Sequence, residues 1–209
     1  MAAQNRLRVS QLSASRGRKP VLQGVEFAVS GGQIIQVLGA NGSGKSTLLR
    51  ILAGLAAPDD GTIFWNDTDS QAAGRDQYRE ACIYIGHKIG ISNDQTALEN
   101  LALFQQINIG REQLVPRDAL KKMGYNASPD VLANKISAGQ RQRIALAKLL
   151  VVKAGLWLLD EPFTALDKDG KTLLESCIGE HCQNGGITVV ATHQTLGLPA
   201  ELVTNLYLN

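Results

Sequence analysis

The chain has 209 residues, 44% of them hydrophobic and 19% charged, and its formal net charge is +2. That balance excludes a disordered polymer and gives no overall field strong enough to gather nucleic acid or an acidic surface. The length allows one substantial core, and no apolar run approaches the roughly 18 residues of a membrane-spanning helix.

The N-terminus carries no signal-type apolar stretch. Cys82, Cys177 and Cys182 are scattered, without the CxxC spacing of a zinc or redox site, and read as reduced thiols of a cytosolic protein. Basic residues cluster only at Arg16, Arg18 and Lys19 and at Arg141 and Arg143, so no nucleic-acid partner is expected.

Along the chain, Leu7-Arg8-Val9 begins a short strand and residues 21–29 form a second. Ser30-Gly31-Gly32 turns into a third at 33–38. That strand runs into Gly39-Ala40-Asn41-Gly42-Ser43-Gly44-Lys45-Ser46, a complete phosphate-binding loop. Glycine is needed at both ends because the backbone must turn tightly and bring its N–H groups close to the β-phosphate. Lys45 then reaches the β- and γ-phosphates, and the Ser46 hydroxyl is placed to ligate Mg²⁺. Residues 46–52, with Thr47 in their first turn, read as the helix whose N-terminus faces the phosphates. The segment predicts binding of a nucleoside triphosphate.

Pro58-Asp59-Asp60-Gly61 is a further turn, leading to a strand at 62–65. Short strands around such a loop suggest an antiparallel layer beside a parallel core. Residues 66–79 are polar and looped with a short helix near their end, and 82–85 are briefly β-like. From Thr96 the period changes. Leu98, Leu101, Leu103 and Phe104 mark one helix, and Leu114, Ala119, Leu120 and Met123 a second that ends at Gly124. A third, at 139–150, carries Ile144, Leu146, Leu149 and Leu150. The expectation is an α/β domain over 1–209 with a helical subdomain inserted at about 88–150. Strands return at 156–159 and 187–191, with a helix at 170–177 between them and a closing strand at 203–208.

Leu156-Trp157-Leu158-Leu159-Asp160 is a buried-type strand ending in a carboxylate, suited to hold Mg²⁺ opposite Ser46. Glu161 follows at the strand tip, where it can polarise an attacking water. His193 comes just after the 187–191 strand, at the ligand edge of such a sheet, positioned to contact a γ-phosphate or orient water. Ser137, followed by Gly139 and Gln140, opens a helix whose free N–H groups make a second anion site.

These features together resemble the nucleotide-binding subunits of ATP-binding-cassette transporters, across essentially the whole chain. The resemblance implies a P-loop NTPase core with an antiparallel layer and an inserted helical subdomain. It assigns residues 39–47 to Walker A and Leu156–Asp160 to Walker B. Glu161 becomes the catalytic base, Ala165-Leu166-Asp167 the D-loop and His193 the switch histidine. Ile136-Ser137-Ala138-Gly139-Gln140 becomes the signature loop, in a variant form, because the family more often has Leu and Gly where this chain has Ile136 and Ala138. It also implies head-to-tail homodimerisation, each signature loop closing on the other subunit's ATP. Two positions depart. Tyr84-Ile85-Gly86-His87-Lys88 stands where the family has its Q-loop glutamine, which puts His87 at that place. Arg16 stands near the usual adenine-stacking aromatic, and its planar guanidinium can stack on a base in the same way.

The Gly86-His87 pair, the 96–101 stretch, Ser137-Ala138-Gly139-Gln140 and residues 159–167 narrow the likeness to the ATPase subunits of bacterial cytochrome c maturation systems. That implies an ATP- and Mg²⁺-dependent ATPase, peripheral on the cytoplasmic face of the inner membrane, with a CcmB-like membrane-spanning subunit and CcmC- and CcmD-like subunits. The likeness implies that such a subunit drives haem export or release of a haem-loaded chaperone, without itself holding haem. Residues 88–96 are the expected docking segment for the membrane partner. The alternatives are the ATPase subunit of another small exporter, a soluble ATP-switched module, and a scaffold without turnover, which intact Lys45, Asp160 and Glu161 disfavour.

Overall fold

In the computed structural model, which describes residues 5–208, the first two strands form a long hairpin, β1 (Arg6–Arg16) and β2 (Lys19–Ser30). β1 runs well past the predicted short strand because its register shifts between Val9 and Leu12, with Gln11 at φ 52°, and then resumes. Such a bulge lets one strand stay paired while it bends. β3 (Ile34–Leu38) enters the phosphate loop, and α1 (Lys45–Leu52) leaves it. β4 (Asp60–Trp65) pairs with β1, and β5 (Thr68–Asp69) with β4, giving an antiparallel sheet in the order β2-β1-β4-β5.

After α2 (Arg75–Ala81) comes β6 (Cys82–Ile85), then three helices: α3 (Ala97–Gln106), α4 (Pro116–Lys122) and α5 (Ala138–Val151). β7 (Leu156–Asp160), α6 (Lys168–Gln183), β8 (Ile187–Ala191) and β9 (Val203–Tyr207) follow. The second sheet is parallel, in the order β6-β7-β8-β3-β9. Every residue of β7 and β8 is buried, as continuous apolar strands must be when helices cover both faces of a parallel sheet.

Alternation along the strands splits the core in two. Leu156 and Leu158 of β7, with Ile35, Val37, Val189 and Ala191, pack on Leu48, Leu49 and Leu52 of α1 and on the antiparallel sheet through Leu7, Val9 and Ile63. Ile83, Ile85, Trp157 and Leu159 face the other way, against Ile144, Leu146 and Leu150 of α5 and, beyond them, Leu101, Leu120 and Met123. The helices of residues 97–151 are therefore continuous with one face of the sheet. α6 runs to Gln183, past the predicted 170–177, because Ile178 and Cys182 extend its buried stripe.

Candidate active site

Space and backbone conformation together dictate the glycines at the two ends of the phosphate loop. Gly39 has φ +150°, and a Cβ there would lie 2.4 Å from the Leu208 carbonyl oxygen and 2.5 Å from Ser43 Oγ. Gly44, at φ +99°, would put a Cβ 2.8 Å from the side chains of Val21 and Leu22. Lys45 is 8% exposed. Its Nζ donates to the carbonyls of Gly39 at 2.7 Å and Ala40 at 3.0 Å, so the ammonium sits inside the curl of the loop. The Ser43 hydroxyl is buried without a hydrogen-bond partner. An orphaned buried hydroxyl beside a lysine ammonium and a helix N-terminus fits a polyphosphate.

β7 delivers the carboxylates. Asp160, 4% exposed, accepts a hydrogen bond from Ser46 Oγ at 3.1 Å. A hydroxyl and a carboxylate meeting at the first turn of α1 form a hard-oxygen pair of the kind Mg²⁺ takes beside substrate phosphates. Glu161 has φ 50°, an uncommon backbone for a non-glycine residue, costing on the order of 1–3 kcal/mol. Its N–H is held by the Ala191 carbonyl at 2.9 Å, and its Oε1 lies 3.5 Å from His193 Nε2. The strained turn swings the Glu161 side chain off the sheet toward the end of β8. His193 follows there because Gln36 of β3 donates from Nε2 to the Gln194 carbonyl at 2.9 Å.

One cavity of about 1040 Å³ gathers Arg16, Asn41, Gly42, Ser43, Gly44, Lys45, Ser46, Thr47, His87, Asp160, Glu161 and His193. Gly39 closes the base of the loop through its carbonyl bond to Lys45. Ser137, Gly139 and Gln140 do not line that cavity. They open α5, where Ser137 Oγ accepts from the Gln140 N–H at 3.2 Å and the Gln140 side chain donates to Asn126 at 2.6 Å. His87 also lines a second space of about 200 Å³ with Ala138, Gln142, Glu161 and Ala165.

Some of the lining lay outside the sequence prediction. Lys19, Pro20 and Val21 enter through the hairpin, in which Lys19 pairs with Arg16 across the turn. Outside the lining, the buried Gln36, which anchors the Gln194 carbonyl beside His193, was not foreseen either, although a glutamine in an otherwise apolar strand was a visible signal. The Tyr84 phenol is pushed up to about 12, chiefly by burial and then by the Asp160 charge. Cys82, Cys177 and Cys182 are all free thiols, and burial raises each, Cys82 to about 12 and the other two to about 11. They stay protonated at neutral pH and have no part in the site.

Comparison with known proteins converges on one family. The family profile described as ABC transporter matches residues 22–164. The chain is 39% identical over 190 residues to the cytochrome c biogenesis ATP-binding export protein CcmA of Aliivibrio fischeri, covering 91% of this chain and 93% of that protein. It is 40% identical to the protein of the same name from Haemophilus influenzae, over 93% of this chain and 92% of that one. Among solved structures, a putative ABC transporter ATP-binding protein from Pyrococcus furiosus superposes with a TM-score of 0.81 at 23% identity, over 97% of both chains. A dimeric ATP-binding cassette in a post-hydrolysis state, bound to ADP and phosphate, gives a TM-score of 0.80 at 21% identity, over 96% of this chain and 94% of that one.

Proposed function

The chain belongs to the ABC transporter family of ATP-binding proteins, and from that premise we propose that it is the ATPase subunit of a membrane complex for cytochrome c biogenesis. The family's reaction is ATP + H₂O to ADP + phosphate. The observation that carries the reading is the meeting of Lys45, Ser46, Asp160 and Glu161 at one sheet edge, in a chain about 39% identical to export proteins of that pathway.

In this reading the loop N–H groups and Lys45 bind the β- and γ-phosphates, and Arg16 and Lys19 border the space for the nucleoside. Ser46 and Asp160 hold Mg²⁺, which when bound neutralises charge on the phosphoryl oxygens. Glu161 orients the water and takes its proton, and His193 keeps Glu161 in place beside the γ-phosphate. Ser137 and Gly139 act on the nucleotide of a second copy, so each protomer contributes half of two composite sites. Closure then completes the catalytic arrangement only when ATP is present.

Among the described residues no helix is long and apolar enough to cross a membrane. Coupling therefore goes through a membrane-spanning partner of the CcmB type, with CcmC- and CcmD-type subunits, at the cytoplasmic face. Residues 88–96 are the proposed docking segment. Lys148 Nζ holds the Gly90 carbonyl at 2.6 Å, and Asn100 holds both backbone groups of Ser92. Ile107 and Ile109, 71% and 82% exposed, add apolar surface on the same helical block.

The test is Glu161→Gln in the purified protein. Glutamine keeps the size of the side chain but cannot take the proton, so turnover should fall by roughly 10²- to 10⁴-fold with ATP binding retained. Size-exclusion chromatography with ATP should show a trapped dimer. Phosphate release at the wild-type rate would remove Glu161 from the role.

A further inference from the structure

β3 delivers the phosphate loop, yet the residue at its centre is not apolar. Gln36 is 7% exposed and stands between Ile35 and Val37, whose side chains face α1. Its own side chain takes the opposite face, beside Val190 of β8. Burying an amide costs free energy unless it is hydrogen-bonded, so the position turns on what that bond holds. β8 ends at Ala191, and Gln36 Nε2 reaches past that end to donate to the Gln194 carbonyl at 2.9 Å. The Gln194 N–H donates to Thr192 Oγ1 at 3.2 Å, and Thr192 is fully buried. Both backbone groups of Gln194 are therefore fixed by side chains, one from β3 and one from the end of β8. His193 lies between these anchors. Its imidazole is half exposed and meets Glu161 Oε1 at 3.5 Å. A half-exposed ring with so long a contact takes its direction from the backbone that carries it.

We propose that Gln36 is a positioning residue for hydrolysis: it fixes the turn of His193 to the strand that carries the phosphate loop, and so sets where the imidazole stands relative to Glu161 and the γ-phosphate. The proposal rests on the reading of His193 as the residue that keeps Glu161 in place. Its physical content is a shared reference. Three residues beyond Gln36 the same strand has become the loop, at Gly39. Pairing of β3 with β8 sets their register only as far as Val37 and Ala191, two residues short of His193. The Gln36 amide carries that register on to Gln194. Neither glutamine lines the nucleotide cavity, so loss of their bond acts on the reaction and not on the bound nucleotide. A displacement of about 1 Å among reacting groups can cost roughly a hundredfold in rate with no substrate contact removed.

The experiment compares steady-state ATP hydrolysis by single and double variants of the purified full-length chain, with ATP affinity measured by calorimetry beside it. Gln36→Met keeps the length of the side chain and removes the donor. It should lower kcat roughly tenfold and leave KM and ATP affinity unchanged. Gln36→Leu should give the same pattern, and takes its place where the methionine variant yields no folded protein. His193→Ala should lower kcat at least as far. Gln36→Met added to His193→Ala should lower it no further, since an anchor acting through the imidazole has nothing to position once the ring is gone. Wild-type kcat in Gln36→Met, with His193→Ala clearly slowed, would overturn the role of Gln36 and leave that of His193 standing. A second multiplicative fall in the double variant would also overturn it, as would an ATP affinity that drops along with kcat, because a merely structural glutamine acts independently of His193 and on binding as well. Wild-type kcat in His193→Ala would remove the role of His193, and the proposal with it.

Discussion

The helix N-termini of α1 and α5, both read as anion sites, are built in opposite ways. At α1 the cap is Gly44, no side chain satisfies the first N–H groups, and a lysine ammonium and an orphaned Ser43 hydroxyl sit beside them. At α5 the cap is Ser137, which satisfies the Gln140 N–H with its own oxygen, while the Arg141 guanidinium is turned back onto the Ile136 carbonyl. The first is a closed cradle, reached through a cavity that also holds Asp160, Glu161 and His193. The second is exposed and lies outside that cavity. One chain therefore carries a strong receptor for phosphate and a weaker, self-capped one that must be brought to its ligand. This contrast is what the proposed composite site, shared between two copies, would require.

Substitutions at the two ends should separate binding from turnover. Lys45→Ala removes the charge-assisted partner of the phosphates, worth about 1.5–3 kcal/mol, so calorimetry should show ATP affinity reduced by roughly ten- to a hundredfold. Ser137→Ala should leave ATP affinity of the isolated protomer unchanged and lower turnover at least tenfold. It should also lower stability by about 1 kcal/mol through loss of the cap, which a urea titration would register. Equal effects of the two changes on ATP affinity would erase the distinction.

The sequence shows the first terminus far better than the second, for a physical reason. A phosphate cradle is made by consecutive residues, so its chemistry is spelled in order from Gly39 to Ser46, and the strand ending in Asp160 is equally contiguous. A self-capped serine looks the same whether it serves a ligand or only its helix. Lys19, Pro20 and Val21 escaped notice because they reach the site through the packing of one sheet on another, which no local pattern encodes. The bulge at Gln11, which carries β1 on to Arg16, is likewise a property of pairing with β2 and β4.

Between the two termini lies His87, lining both the nucleotide cavity and the smaller space beside Ala138 and Ala165. The proposed role for it is to couple the two. His87→Ala should leave ATP binding by the isolated chain unchanged, and should weaken stimulation of hydrolysis by reconstituted membrane subunits a few-fold. His87→Gln should recover part of that stimulation. Full stimulation in the alanine variant would make His87 a bystander.

The smallest functional effect is expected at the far edge of the sheet. His181 stacks on Trp157 with ring centroids 3.9 Å apart, and its Nε2 lies 3.2 Å from the Ile187 carbonyl. Burial lowers its pKa from 6.5 to about 4, partly opposed by that carbonyl. Between those values the unfolded chain binds a proton that the folded chain does not. Stability should therefore fall as pH drops from about 6.5 to about 4, by an amount on the order of 2–3 kcal/mol. His181→Phe should flatten that part of the urea midpoint against pH and leave ATP turnover at pH 7.5 untouched. An unchanged slope would assign the acid sensitivity elsewhere.

The central claim is that the cradle at α1 and the exposed turn at α5 meet on one nucleotide only between two copies of the chain. The most direct test joins them covalently. Asn41→Cys and Ala138→Cys, each alone in the Glu161→Gln background, are mixed and oxidised with and without ATP. A cross-linked dimer is predicted only in the mixture and only with ATP, and the two changes placed in one chain should give dimers or higher species rather than a looped monomer. An intramolecular disulfide in the doubly substituted chain, or equal cross-linking without nucleotide, would contradict the account.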